Sequence, residues 1–151
     1  MTKPVVAEVL AKRSREHWFA FALCAFAPLG LVAMRFLLTP APQGYGTHEQ
    51  LGLPACQAIN WFGIPCPGCG VTTSVTWFAH GYAWQSFVAQ PFGFALAAGA
   101  ALSLPYALLR TAFGADLGDD LRRLGNRTLW IWLVAVVALA WIYKIVVVLS
   151  A

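Results

Sequence analysis

Three long apolar runs dominate the chain and set its expected architecture. They cover 17–38, 91–109 and 128–149, and about 20 apolar residues are needed to cross the ~30 Å hydrocarbon core of a bilayer. The pattern predicts an all-α, polytopic membrane protein with three transmembrane helices, organised as a single membrane domain over 1–151. Composition agrees, because 60% of the residues are hydrophobic and 11% are charged, whereas soluble domains carry about 25% charged residues.

Basic residues predict the orientation of these spans. Eight of the ten lie in the N-terminal tail (1–16) or between the second and third spans (110–127): Lys3, Lys12, Arg13, Arg15, Arg110, Arg122, Arg123 and Arg127. Because cytoplasmic loops are enriched in Lys and Arg, both segments are expected to face the cytoplasm. The first run exceeds the about 7–15 apolar residues of a signal peptide and lacks a small-x-small cleavage site after it, so we expect an uncleaved anchor.

The segment 39–90 is then expected on the outer side of the membrane. It belongs largely to a stretch, Gln50 to Leu109, without any Asp, Glu, Lys or Arg, and aromatic residues typical of the headgroup boundary occur along it: Trp61, Trp77, Tyr82 and Trp84. We predict a short interfacial or re-entrant helical segment rather than a fourth span over 70–89, which would move the arginines of 110–127 outside.

Local signals predict the helices within this segment and in the inner loop. Thr72 or Thr73 provides a hydroxyl to cap a helix that Gly81 ends, a second turn runs over 83–89, and Pro91 suits the first position of the next span. In the inner loop, apolar residues share one face (Leu117, Leu121, Leu124), and Asp119 lies three and four residues before two arginines. This pattern predicts a short surface helix.

The outer segment carries the candidate chemistry, the motif Gly63-x-Pro-Cys66-Pro67-x-Cys69-Gly70-x-Thr72, preceded by Cys56. A structural disulfide from Cys56 to Cys66 or Cys69 would fix the segment onto the spans. Alternatively, the Cys-Pro-x-Cys-Gly turn is typical of a zinc knuckle, with Cys56 as third ligand and His80 or His48 as fourth. Thiol redox chemistry is the third interpretation, since thiols outside the cytoplasm oxidise readily. Cys24 is interpreted as a packing thiol.

These residues resemble a bacterial family of small membrane proteins known only as domain of unknown function 2752. The resemblance covers Cys56, the cysteine motif through Thr72, His80-Gly81 and Pro91, and it implies no activity. The family pattern has Arg after the Thr and Asn before the later Pro, where this chain has Thr73 and Gln90. With the orientation above, the resemblance implies the bacterial inner membrane, with a cytoplasmic N-terminus and a periplasmic C-terminus.

Three functional classes remain open, and a non-enzymatic accessory or assembly subunit of a larger membrane complex is the first. Small residues of the second span would pack against other subunits or a second copy: Ala97, Ala98, Gly99 and Ala101. The second class is a metal-handling protein that binds Zn²⁺ or another soft metal ion, and the third is a thiol oxidoreductase. An enzyme is not favoured and nucleic-acid binding is not expected, because the charge of +4 follows from membrane topology.

Three polar residues within or next to the spans are interpreted more simply. Arg35 and Lys144 lie near the outer ends of their spans, where long side chains reach the headgroups, with an intramembrane pair to Glu49 as the alternative. His17, at the inner boundary, is expected to have no special role.

Overall fold

The computed structural model describes residues 15–150, so the predicted tail over 1–14 and the predicted periplasmic Ala151 lie outside it. Within that range the chain forms seven α-helices and a short 3₁₀ helix, and no strand. The helices are α1 Arg15–Leu37, α2 Gln57–Phe62, α3 Val71–Ala79, α4 Ala83–Ala89, α5 Pro91–Ala112, α6 Leu117–Arg123 and α7 Arg127–Leu149, and the 3₁₀ helix is Thr47–Leu51. The all-α prediction is confirmed.

Three of the helices, α1, α5 and α7, are long and apolar enough to cross a membrane. Many of their large apolar side chains are exposed, among them Phe26, Phe36 and Leu139. Such surfaces are stable in lipid, where the hydrocarbon tails solvate them. The prediction of three membrane helices is therefore confirmed, and their surroundings are a lipid bilayer.

Helix α1 packs along α5, and a single side chain repairs the defect that proline introduces into α1. Pro28 has no N–H to donate to the carbonyl four residues earlier, that of Cys24. The Ser103 hydroxyl of α5 lies 2.8 Å from the Cys24 carbonyl oxygen and 2.7 Å from the Ala100 carbonyl oxygen of its own helix, and these two acceptors share its proton. The carbonyl that Pro28 leaves without a partner in α1 thus accepts a hydrogen bond from α5, which joins the two helices.

The outer segment folds as short helices packed on α5. Helix α3 contacts both α4 and α5, and the chain turns between α3 and α4 at Gly81, whose φ is +89°. Because α3 and α4 are separate helices of nine and seven residues, neither crosses a bilayer, in agreement with the prediction against a fourth span. Helix α5 begins at Pro91, as predicted, and the Gln90 side chain caps it by accepting from the Phe92 N–H at 3.0 Å.

The predicted hydroxyl cap of α3 is wrong. The residue before the helix is Gly70, with φ +86°, and no side chain caps the first turn. The hydroxyls bond to other elements instead. Thr73 Oγ1 lies 2.8 Å from Thr47 Oγ1 of the 3₁₀ helix, and Ser74 Oγ lies 2.7 and 2.9 Å from the carbonyl oxygens of Ser86 and Gln90, which share its one hydroxyl proton. They join α3 to its neighbours.

At the inner end, the predicted surface helix is present as α6 and packs against α1. His17 is fully buried, and its Nδ1 accepts from the Leu117 N–H at 3.1 Å, at the start of α6. The expectation that His17 has no role is therefore wrong. A histidine on α1 holds α6 in place, a contact between residues 100 positions apart.

Candidate metal centre

Two turns of the outer segment position the three cysteines of the motif. Cys56 precedes the first residue of α2. Cys66 and Cys69 close a tight turn in which the Cys69 N–H donates to the Cys66 carbonyl at 2.9 Å, and Gly70 then starts α3 in a left-handed conformation. The turn therefore ends directly before a helix, as the sequence predicts, and Pro67 stands inside it.

The structure brings all three sulfur atoms together. The Sγ atoms of Cys56, Cys66 and Cys69 lie within 4.8 Å of one another, and those of Cys66 and Cys69 are 3.5 Å apart. Cys69 is buried and the other two are partly buried. No disulfide joins any of the four cysteines. We call the group of Cys56, Cys66 and Cys69 the thiol cluster; Cys24, on α1, is not part of it.

The thiols of the cluster differ in how readily they lose their protons. For Cys56, burial is the largest single influence and opposes ionisation, yet hydrogen bonds from the Cys69 thiol and the backbone of Cys66 and Ile59 outweigh it and lower the pKa of Cys56 to about 6. Burial, followed by the hydrogen bonds to Cys56 and Cys66, raises the pKa of Cys69 well above its ordinary value. The cluster thus holds one negative charge readily, and further negative charge requires a cation.

A cavity of about 260 Å³ lies beside the thiol cluster. Cys56 and Cys69 line it, together with the polar side chains Tyr45, His48, Glu49 and Asn60. His48 Nε2 is 3.2 Å from the Pro54 carbonyl. The cavity therefore borders two residues of the thiol cluster and four residues with polar side chains.

His80, predicted as a fourth metal ligand, is not in the thiol cluster. Its Nδ1 lies 2.9 Å from the Thr76 carbonyl of its own helix, and the group of metal-binding side chains found in the described residues contains only cysteines. Of the two histidines considered from the sequence, the structure brings His48 to the cavity. Thr72, also part of the motif, lies in the first turn of α3, where its carbonyl accepts from Thr76 Oγ1 at 2.8 Å.

One face of α7 contacts the backbone around the cysteine turn. Trp141 Nε1 donates to the Pro65 carbonyl at 2.7 Å, directly before Cys66. Lys144, one helical turn later, donates to the carbonyls of Gly44 and Ala89 at 3.0 Å each. No sequence pattern connects α7 with the motif, although a lysine inside an apolar span is itself a signal of function or of a buried partner.

The two cations at the outer ends of the spans differ. Lys144 is only 2% exposed, so the expectation that it reaches the headgroups is wrong, and no pair between Lys144 and Glu49 occurs among the described ion pairs. Arg35 is exposed and donates to the Ala79 carbonyl at the end of α3 at 3.2 Å.

The small residues predicted as a packing face of α5 do not all point outward. Ala97 is buried within the chain, whereas Ala98 and Ala101 are partly exposed. Gly99 is exposed, and a Cβ added there would meet nothing within 4 Å. A surface for another helix can include Gly99 but not Ala97.

Comparison with known proteins finds a match to one protein family, and that family has no assigned activity. No curated protein and no solved structure matches the chain. The part of the chain that matches this family begins at Cys56 and ends within α5, so it contains the thiol cluster, α3 and α4. Residues 56–104 match the family described as protein of unknown function (DUF2752), which confirms the resemblance drawn from the cysteine motif.

Proposed function

We propose that this protein is a membrane-embedded metal-binding protein that holds a thiophilic cation, with Zn²⁺ as the first candidate, on Cys56, Cys66 and Cys69. The observation that supports it is the gathering of three sulfur atoms within 4.8 Å. Tetrahedral Zn²⁺ with Zn–S distances of ~2.3 Å places its sulfur ligands about 3.8 Å apart. To bind the ion, the Cys66 and Cys69 sulfurs, now 3.5 Å apart, would separate slightly, and no pair would need to close by more than about 1 Å.

The arrangement favours a metal over the structural disulfide. A disulfide uses two sulfurs, and the third would be left beside it in an enclosed place without a chemical role. A trithiolate site uses all three. The low pKa of Cys56 helps, because the thiolate rather than the thiol is the metal ligand.

The coordination we propose is open rather than closed. Structural zinc sites have four protein ligands, whereas a site with three keeps a position for water or an incoming group. Here the cavity lined by His48 and Glu49 borders Cys56 and Cys69, so the fourth position faces it. This is the arrangement expected of a protein that accepts and releases an ion.

A cadmium titration tests the proposal, because thiolate-to-Cd²⁺ charge transfer absorbs in the ultraviolet and reports thiolate ligation. Detergent-purified, chelator-stripped protein should develop the band up to one equivalent. Changes of groups behind the ligands already cost about 10- to 100-fold in affinity, so Cys56→Ser, Cys66→Ser and Cys69→Ser should each weaken binding by more than that. Cys24→Ser is the matched control and should bind as the wild type. Absence of the band in wild-type protein, or an equal loss in Cys24→Ser, would refute the site.

A second candidate function is that of an accessory or assembly subunit, and Gly99 favours it. A glycine exposed in the middle of a membrane helix lets another helix approach closely, either from another subunit or from a second copy. Gly99→Leu and Ala98→Leu should then reduce co-purification of a partner or self-association, while Leu102→Ala, at an exposed position of the same helix, should not. Unchanged association in both leucine variants would remove this support.

The orientation and the membrane also belong to the proposal. We place the basic segments in the cytoplasm and the thiol cluster on the periplasmic side of a bacterial inner membrane. The distribution of Lys and Arg along the sequence supports this orientation.

A further inference from the structure

Lys144 is a buried cation that forms no ion pair with any acidic side chain of residues 15–150. Its side chain is 2% exposed, and its Nζ donates to two backbone carbonyls, those of Gly44 and Ala89. The ring of Tyr45 lies 5.6 Å from Nζ. The ion pairs of the described residues do not include Lys144. Carbonyls solvate an ammonium group but do not neutralise it, so the positive charge remains able to stabilise an anion brought close to it.

The backbone brings this charge to the cysteine turn. Gly70 follows Cys69, and a Cβ added to Gly70 would lie 3.2 Å from Lys144 Nζ and 2.7 Å from the Gly44 carbonyl oxygen. Only a residue without a side chain lets the ammonium group approach this closely. Because Gly70 directly follows Cys69 in the chain, the ionisable side chains next to this point of close approach are those of the thiol cluster.

A ligand in the neighbouring cavity is a weaker explanation for the charge. A cavity of about 310 Å³ does border Lys144, between Trp77 and Trp84. However, two carbonyls already occupy donors of the ammonium group, and the side chain is almost completely enclosed. An external anion would have little contact with it.

With a divalent metal ion bound, the charges of the three thiolates, the ion and Lys144 would sum to zero. Three thiolates and one divalent cation have a net charge of −1, and Lys144 adds +1, so the whole becomes neutral. Net charge in a place screened from water is costly, and a paired charge is not. We propose that Lys144 is the counter-cation of the thiolate metal site, positioned by α7 to stabilise the metal-loaded form. This inference rests on the proposed metal-binding function.

Two substitutions at position 144 separate charge from hydrogen bonding. Lys144→Gln keeps an NH₂ group that can donate to the two carbonyls but removes the charge, whereas Lys144→Arg keeps the charge. Attraction between charges a few ångströms apart in a poorly solvated site corresponds to at least about a tenfold change in affinity. In Cd²⁺ and Zn²⁺ titrations, Lys144→Gln should therefore lose at least about tenfold, and Lys144→Arg should stay within about threefold of the wild type.

Trp141→Phe is the control for a purely structural role of α7. It removes the hydrogen bond from α7 to the Pro65 carbonyl, directly before the cysteine turn, without changing charge, so it should affect metal affinity less than Lys144→Gln does. Circular dichroism and the number of alkylatable thiols in metal-free protein verify that each variant is folded. If Lys144→Gln does not fold, Lys144→Arg decides, because loss of metal affinity in a folded arginine variant contradicts a role for charge.

The outcomes distinguish this inference from the function on which it rests. Wild-type protein that binds no Cd²⁺ or Zn²⁺ refutes the metal site and the inference with it. Wild-type protein that binds the ion, together with a folded Lys144→Gln variant of equal affinity, refutes the counter-cation alone. Equal losses in Lys144→Gln and Trp141→Phe would also overturn it, because they would assign the effect to anchoring of α7.

Discussion

The two ends of the helix bundle hold their polar groups in different ways. At the inner end, α6 is joined to the spans by the buried hydrogen bond to His17 and also by two ion pairs, Arg110 with Asp120 and Arg122 with Glu16, at 2.8 Å each; the second pair is exposed. At the outer end, side chains bond to backbone carbonyls in enclosed positions, as Ser74 and Lys144 do. Exposed ion pairs contribute little to stability, whereas unpaired buried polar groups are costly. The outer end, which carries the thiol cluster, therefore depends on enclosed hydrogen bonds, whereas part of the inner end depends on an exposed ion pair.

The comparison depends first on the two ends lying on opposite sides of the membrane, and this gives the largest expected effect. Single cysteines introduced at exposed positions should differ completely in their labelling from outside the cell. The positions are Gln43 and Ser150 at the outer end and Leu124 at the inner end. A membrane-impermeant maleimide applied to intact cells should label Gln43→Cys and Ser150→Cys above the wild-type background, but not Leu124→Cys. Labelling of Leu124→Cys before lysis would contradict the orientation.

Gly70 gives the next largest effect, because it combines a left-handed backbone with a close approach. Gly70→Ala places a Cβ 2.7 Å from the Gly44 carbonyl oxygen at φ +86°, so we expect a loss of about 3 kcal/mol in the free energy of unfolding. Gly52→Ala is the matched control, since φ is +76° there but nothing lies within 4 Å. It should lose about 1–2 kcal/mol. Thermal unfolding in detergent measures both, and equal losses would show that the outer packing is loose.

The smallest expected effects on stability come from removing one hydrogen-bonding side chain at each end. Ser74→Ala removes the hydroxyl that bonds the carbonyls of Ser86 and Gln90 in a fully buried position, and should cost about 1–3 kcal/mol of unfolding free energy. Arg122→Ala breaks the exposed pair with Glu16 and should change stability little. A larger loss in Arg122→Ala than in Ser74→Ala would reverse the comparison of the two ends.

The sequence was sufficient to predict the structural features that depend on residues close together in the chain. Apolar runs predict α1, α5 and α7, Pro91 predicts the start of α5, and the leucine and charge spacing predicts α6, because periodicity and turn chemistry act within a few residues. The Cys-x-x-Cys spacing likewise brings two thiols together in one tight turn.

The contacts that complete the site join distant parts of the chain. Lys144 reaches the Gly44 carbonyl across 100 residues, and Trp141 reaches the Pro65 carbonyl across 76, so no local pattern reveals either. The hydroxyl cap of α3 was predicted wrongly for the same reason, since Thr73 and Ser74 bond to other elements rather than to their own helix. His80 satisfies its ring nitrogen on the Thr76 carbonyl, which spacing alone does not show.

The central claim is that three thiols form a metal site, and metal content together with a thiol count tests it most directly. Detergent-purified protein prepared without reductant or chelator should contain about one equivalent of a thiophilic metal ion by mass spectrometry. After chelation and denaturation without reductant, all four cysteines should alkylate. Protein without bound metal in which only two cysteines alkylate would show a disulfide in the outer segment and contradict the account.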